Sequence, residues 1–462
     1  MKDLRQGPAA GSMVVLVAVV LGATLRFTGI GWGLQHPPHS DEQAYIESVN
    51  AMLDAGDLDH RYYYYPGLFF YMLAPILDVL GESRRHGPEA YLAGRVLVAS
   101  IASLNIWIAA QVARSFGGPW AMAGAAFSLA VFPISSAVAH EVRPDLLLET
   151  LGLLSLLLYA RSTWARKETG LLGGLAGTAA AIKFSGFLFL GGTVVAAWIR
   201  RAGIGRLMSA ILISVLVVLL ATPYALVRPE EYVGGRSELD VYFQGLTARG
   251  FLSNLAAYTT AAFSFGGMTG AALATYGFAT LGPGRAAFLP WLAHFVLTLI
   301  AFSLASIVFP RHLLQVTGGL CVLFGLGLAK VAGRSKIVAA ILMTIALAVP
   351  LDTSTNAALA QRAPSAPDRA KEWIDSHMAD GSVILETRRD AAFGARAGAS
   401  LGVDRSRFEF VTPENPVRAE LRLLMPHADL VIVDADRSTS GSLFQGARLV
   451  YCLLYTSDAA DE

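Results

Sequence analysis

Five short stretches of this 462-residue chain concentrate the groups that can do acid–base and phosphate chemistry. "LQHPPHSDEQAYIESV", residues 34–49, places Asp41 and Glu42 beside His36 and His39 directly after the first long apolar run. "HEVRPD" supplies Arg143 and Asp145, and "AIKFSG" supplies Lys183. "FPRHLL" carries Arg311 and His312, and "GRVLVAS" carries Arg95. Acids set among several cations suit a displacement at a phosphate-linked carbon. The cations stabilise charge on a departing phosphate, while a carboxylate takes the proton of an attacking hydroxyl. A sugar carried on a polyprenyl phosphate needs that arrangement, and holding donor and acceptor together at the membrane adds rate through orientation.

The elements that must position these groups are apolar. Hydrophobic residues make up 54% of the chain and charged residues 15%, against about 25% charged in a soluble domain. The formal net charge of +1 gives no case for nucleic acid. Runs of near 20 apolar residues mark membrane spans, with about 17 tolerable. They fall at 11–30, 91–113, 119–139, 145–161, 169–184, 186–200, 207–227, 256–281, 288–309, 312–332 and 336–351. The first is read as a retained anchor, because its leader is short and no small-residue cleavage site follows. The stretch 66–81 contains Pro75 and Asp78 and is read as a helix lying at the interface.

That choice follows from the distribution of basic residues. If 66–81 does not cross, Lys2, Arg5, Arg114, Arg161, Arg166, Lys167, Arg200, Arg201, Arg206, Arg285, Lys330, Arg334 and Lys336 all fall inside, as the positive-inside rule requires. Asp41, Glu42, Arg143, Asp145, Lys183, Arg311 and His312 then share the outer face, with Arg95 about one turn inside its span. Ionisable groups at such positions are costly and are functional hypotheses by default.

The fold class expected is therefore mainly α. It is a polytopic membrane protein of about eleven transmembrane helices, with interfacial helices in its first outer loop and a small α/β outer domain. Residues 1–351 form the transmembrane part, with 31–90 the first outer loop, and 352–368 form a linker. Residues 369–451 form the outer domain, in which "GSVILET" and "ADLVIVDAD" read as strands. The tail "CLLYTSDAADE" resembles the translation of a sequencing adapter, so 452–462 are expected to be an artefact and the outer domain truncated. Cys321 and Cys452 make no disulfide framework.

The first 200 residues resemble, in order and spacing, membrane glycosyltransferases of the C-type fold. The similar groups are bacterial relatives of dolichyl-phosphate-mannose protein mannosyltransferases and the lipid A aminoarabinose transferases. The resemblance is carried by "LQHPPHSDEQAYIESVNAMLDAGDL", "RYYYYPGLFFYM", "GRVLVAS", "HEVRPDLLLET" and "AIKFSG". It implies an inverting transfer of sugar from a polyprenyl-phosphate carrier to a protein, lipid or glycan acceptor, at the outer face of the bacterial cytoplasmic membrane. Asp41 would be the base, and Glu42 would position Asp41 or the acceptor. Lys183, Arg143 and Arg311 would bind donor phosphate, supported by Asp145, Arg95, Tyr65 and His312. Tyr65 stands where some relatives have a lysine before the proline. The second-loop acid does not form a DxD pair, which weakens a metal-dependent oligosaccharyltransferase reading.

Other readings of the same residues stay open. Ser40, Asp41 and Glu42 make a good helix N-terminus, and a capping position would also hold a base firmly. Lys183 and Arg311 have the placement of snorkelling residues, and Arg143 and Asp145 the spacing of a local ion pair. His36 and His39 have metal-ligand chemistry but no ligand spacing, so no cofactor is required and a divalent metal is unsupported. Tyr62 to Tyr65 read as an aromatic belt. The functional alternative is a non-catalytic lipid-carrier flippase or transporter, which calls for polar residues along a midplane path. A phosphoethanolamine-type transferase would need an outer domain rich in His and Asp, which 362–451 lack.

Overall fold

The computed structural model of the chain describes residues 8–34, 40–161, 166–239 and 247–364, positions 372, 375, 376 and 380, and four strands beyond them. It divides into two compact units. One comprises Met1–Ile30 with Ala44–Leu359, the other Gly31–Gln43 with Ala360–Glu462.

The first unit is helical. It holds α1 (Pro8–Phe27) and most of α2 (Ser40–Ala55), followed by α3 (Leu68–Leu80) and α4 (Glu82–Arg85). Next come α5 (Pro88–Ala130), α6 (Pro133–Val138), α7 (Asp145–Arg161) and α8 (Arg166–Ile182). A 3₁₀ turn at Phe184–Leu188 leads into α9 (Phe189–Ile199), α10 (Ile204–Ala221), α11 (Tyr224–Val227) and α12 (Pro229–Leu239). The unit continues through α13 (Ala248–Ala262), α14 (Gly267–Ala279), α15 (Arg285–Ser303), a 3₁₀ turn at Pro310–Leu313, α16 (Leu314–Ala332) and α17 (Lys336–Ala360).

Among the described residues, five helical segments are long and apolar enough to cross a membrane: α5, α10, α15, 310–332 and α17. Shorter apolar helices lie at 12–27, 68–80 and 184–199. α5 is one continuous run broken at Gly118, whose φ of 72° and ψ of −157° suit glycine and not an L side chain. Its two arms fold back on each other. A Cβ on Gly22 of α1 would touch both Ile106 and Ala130, residues that a straight helix would hold about 36 Å apart. The expected span 91–113 lies in the first arm, and the expected span 119–139 takes in the second arm and α6.

Two boundaries differ from the sequence reading. The expected span 256–281 is two helices, α13 and α14, separated at 263–266, where Gly266 and Gly267 interrupt the helical ladder and Gly267 takes φ 55°. α17 runs on to Ala360, so the first half of the expected linker 352–368 is helix. α3 has 13 residues, about 20 Å of helix, which is short of the roughly 30 Å hydrocarbon core.

One end of the first unit gathers the C-termini of α1, α5, α8 and α15 with the N-termini of α7 and α16. Arg26 of α1 donates to the carbonyls of Leu129 and Ala130, each at 2.9 Å. Ser354 donates to the Val131 carbonyl at 2.9 Å, and the ring of His312 stacks 4.2 Å from Phe302. At the opposite end Phe116 lies 5.1 Å from Phe288, and Gly117 packs against Leu326 and Ala329. Arg114, Arg285 and Lys330, all expected on the inner side, flank these contacts. Arg114, Arg285 and Lys330 thus lie at the end of this unit opposite to Asp145, Lys183 and Arg311.

The second unit contains a parallel four-stranded sheet in the order β2-β1-β3-β4. Its strands are β1 (Val383–Thr387), β2 (Glu409–Val411), β3 (Leu430–Asp434) and β4 (Tyr451–Leu453). β1 and β3 are the two strands read from the sequence, paired with Leu385 opposite Val431. Parallel neighbours require crossover connections, and here those connections fall outside the described residues. β4 begins at the edge of the 452–462 segment.

Candidate functional site

The polar end of the first unit is built around Lys183. α8 stops at Ile182, and Lys183 is extended, with φ −153° and ψ 140°. The chain then doubles back tightly: Gly186 donates to the Lys183 carbonyl at 2.8 Å, and a Cβ on Gly186 would sit 2.1 Å from the Ala179 backbone. Only a glycine lets the 3₁₀ turn lie this close on α8.

The Lys183 ammonium donates to Asp145 Oδ1 at 2.7 Å. Asp145 opens α7, where an acid favours the helix dipole, and Pro144 starts the helix by accepting from Leu147 at 3.0 Å. Both side chains are nearly enclosed, at 10% and 4% exposed. Arg143 pairs with Glu141, its Nε 2.5 Å from Oε2. The local Arg143–Asp145 pairing open at the sequence level is therefore replaced by two others.

Arg311 lies in the 3₁₀ turn before α16 with its guanidinium 4.1 Å over the Phe309 ring, a cation–π contact. The Phe309 amide donates to Tyr258 at 3.0 Å and fixes this turn. The charges of Arg311 and Arg143 act on Lys183, and those of Lys183, Arg311 and Arg143 on His312. Among the described residues Lys183 pairs with Asp145 and Arg143 with Glu141, and the Arg311 charge lies close enough to act on Lys183.

Arg95 is buried and donates to the Ile30 carbonyl at 3.0 Å, joining α5 to the exit of α1. His140 sits 2.9 Å from the carbonyls of both Thr28 and Ser136. Burial, and then the charges of Arg95 and Arg26, hold it below the usual histidine range.

Asp41 and Glu42 occupy the first turn of α2, in the second unit, with Glu42 buried and Asp41 half-buried. An acid-led first turn agrees with the capping reading, which leaves a chemical role open. His36 and His39 lie outside the described residues. Among the described residues no three His, Cys, Asp or Glu side chains gather as a metal site.

A second polar assembly, absent from the sequence reading, ties the first loop to the start of α12. Tyr63 donates to Asp59 Oδ1 at 2.7 Å, and Arg228 Nε lies 3.3 Å from Asp59 Oδ2. His60 stacks on Phe70 at 4.3 Å and places Nε2 2.8 Å from the Tyr232 hydroxyl. Burial pushes His60 down to about 4, outweighing the opposing charge of Asp59. Tyr62 and Tyr65 pack on each other at 6.0 Å, and Tyr65 packs on Tyr45 at 5.3 Å. The tyrosine run is thus bound into the protein by ring contacts. Its one sequence signal is the density of aromatic and ionisable residues in "DLDHRYYYYP".

No family sequence model matches the chain, and no curated protein matches its sequence. Solved structures do match. ArnT from Cupriavidus metallidurans bound to undecaprenyl phosphate has a TM-score of 0.58 at 16% identity, over 88% of this chain and 87% of that one. The same protein in its apo state scores 0.58 at 16% identity, over 91% and 89%. The apo oligosaccharyltransferase of Archaeoglobus fulgidus scores 0.58 at 12% identity, over 91% of this chain and 66% of that one. The chain has the fold of these membrane glycosyltransferases, in agreement with the resemblance carried by its loop motifs.

Proposed function

We propose that the chain is an inverting glycosyltransferase that moves a sugar from a polyprenyl-phosphate carrier to a protein, lipid or glycan acceptor. The observation that carries this reading is the enclosed Lys183–Asp145 pair, with Arg311 and Arg143 beside it, at one end of a fold shared with a protein solved bound to undecaprenyl phosphate. That end faces the outside of a bacterial cytoplasmic membrane, and the end bearing Arg114, Arg285 and Lys330 faces the cytoplasm.

In the reaction Asp41 takes the proton from the acceptor hydroxyl as that oxygen attacks the anomeric carbon. The carbon–oxygen bond to phosphate breaks in the same displacement, inverting the centre and releasing polyprenyl phosphate. Lys183, Arg143 and Arg311 stabilise the charge that builds on the leaving phosphate. Asp145 holds Lys183 in place until the phosphate arrives. Glu42 orients Asp41 or the acceptor, and the first turn of α2 holds both acids.

The test is to reconstitute the protein in nanodiscs with polyprenyl-phosphate-linked sugars and membrane acceptor fractions, and to follow free polyprenyl phosphate by mass spectrometry. Release that requires both protein and acceptor supports the reading. Movement of intact donor across vesicles without release supports a transporter instead.

A further inference from the structure

Beneath the cationic cluster lies a second charged layer that the reaction above does not use. Arg26 and Glu149 are 0% and 1% exposed. Arg26 Nη1 donates to the Ala130 carbonyl at 2.9 Å and the Gly22 carbonyl at 3.1 Å. Its Nη2 donates to the Leu129 carbonyl at 2.9 Å and to Ser135 Oγ at 3.1 Å. A cation is thereby seated on the carbonyl end of α5, where the helix dipole favours it. Ser135 passes the contact on, donating to Glu149 Oε2 at 3.4 Å.

Glu149 also accepts from Asn105 Nδ2 at 3.0 Å and, through Oε1, from Thr317 at 3.0 Å. Asn105 is itself fixed, donating to the Leu146 carbonyl at 3.0 Å and accepting from Thr150 at 2.6 Å. Each described side chain that meets Glu149 carries a hydrogen it can donate, and the Thr317 hydroxyl also lies 3.1 Å from the Leu314 carbonyl. The network joins α1, α5, α6, α7 and α16.

Its position gives it a task. Glu149 comes one helical turn after Asp145 and lies on the same face of α7, about 6 Å below it. Thr317 lies in the first turn of α16, just past Arg311. The Glu149–Thr317 hydrogen bond therefore ties α7, whose first turn carries Asp145, to α16, which directly follows the 3₁₀ turn carrying Arg311. At the same level α7 and α16 meet backbone to backbone, since a Cβ on Gly152 would stand 2.1 Å from the Gln315 carbonyl oxygen. A buried polar network that spans five helices in this way favours one register of packing over its neighbours.

We infer that Arg26 and Glu149 are positioning residues, forming a buried ionic layer that sets α7 against α16 and so fixes the spacing of Asp145, Lys183 and Arg311 for the donor phosphate. The inference rests on the proposed transferase reading for its kinetic consequence, and on geometry alone for its structural one.

The experiment compares Arg26→Met, Glu149→Gln, the double variant and Thr317→Val, all as full-length protein in nanodiscs. Each charge-removing single variant leaves a buried ion without its counter-charge and melts lower than wild type. The double variant regains wild-type melting but keeps a kcat at least tenfold down, with donor KM changed less than threefold. Thr317→Val folds like wild type and shows the same kcat loss. Acetylation of Lys183 by acetic anhydride, scored against Lys336, rises at least fivefold in the double variant and in Thr317→Val. Recovery of wild-type kcat and Lys183 protection in the double variant would mean that the layer serves stability alone, and would overturn the inference. So would wild-type behaviour of Thr317→Val, which applies even if the double variant fails to fold. If wild type transfers no sugar but Lys183 reactivity changes across the variants as stated, the transferase reading falls and the positioning layer stands.

Discussion

Lys183 and Asp145, 38 residues apart in the chain, meet in an enclosed ion pair of 2.7 Å. Each has a different consequence when removed, because burial makes an unpaired charge expensive. Asp145→Asn leaves the Lys183 ammonium buried without its partner, and is expected to destabilise the protein by about 3–5 kcal/mol. Lys183→Met keeps much of the side-chain volume and removes the phosphate contact. Asp145 then keeps the α7 N-terminus and the nearby Arg311 and Arg143 charges, so Lys183→Met is expected to retain more stability than Asp145→Asn while losing at least tenfold in affinity for undecaprenyl phosphate. Melting curves and lipid binding measured on both variants separate the two effects.

Gly186 permits the turn that presents Lys183. The Cβ of Gly186→Ala would stand 2.1 Å from the Ala179 backbone, too close for a side-chain adjustment to relieve. The substitution is expected to cost about 1–3 kcal/mol as an overpacking strain, and to weaken undecaprenyl phosphate binding by shifting Lys183. Gly174→Ala, which meets nothing within 4 Å, is the matched control and should leave both quantities unchanged.

The Asp59–His60–Tyr232 assembly gives the first loop a pH dependence of defined sign. His60 stays neutral in the fold, held down to about 4 by burial, while the unfolded ring takes a proton near 6.5. Its contribution to stability is complete above about pH 6.5 and is lost progressively as the pH falls toward 4, by up to about 3 kcal/mol. His60→Phe keeps an aromatic ring against Phe70 and should flatten the melting profile between pH 7.5 and 5 relative to wild type. An unchanged slope in the variant would remove His60 as the cause.

Much of this arrangement is legible in the sequence because the signals are local. Apolar runs bounded by charge mark α7, α10, α15 and α16, and short β-branched apolar runs mark β1 and β3. The partition of Arg114, Arg285 and Lys330 from Asp145, Lys183 and Arg311 comes from counting charges between spans. The illegible part depends on contacts distant in the chain. Nothing local to "AIKFSG" tells which acid Lys183 meets, and Arg143 is as near in sequence to Asp145 as to Glu141. The break between α13 and α14 hides inside an unbroken apolar stretch, where only the Gly266–Gly267 pair hints at it. Glu149 does leave a trace, an acid four residues into the apolar helix that begins at Asp145, and Arg26 leaves another at the end of the first span. Neither lies in a loop, where outer-face chemistry is expected, so neither stands out beside Asp41 or Lys183.

The central claim is that Asp41 removes the acceptor proton, and Asp41→Asn tests it most directly. The variant keeps the size and polarity of the side chain in the first turn of α2 and removes the base, so folding and melting should match wild type. With a polyprenyl-phosphate-linked sugar and the membrane acceptor fraction, the variant should release polyprenyl phosphate at least a hundredfold more slowly than wild type. Turnover within a few-fold of wild type, in protein that melts normally, would contradict the account.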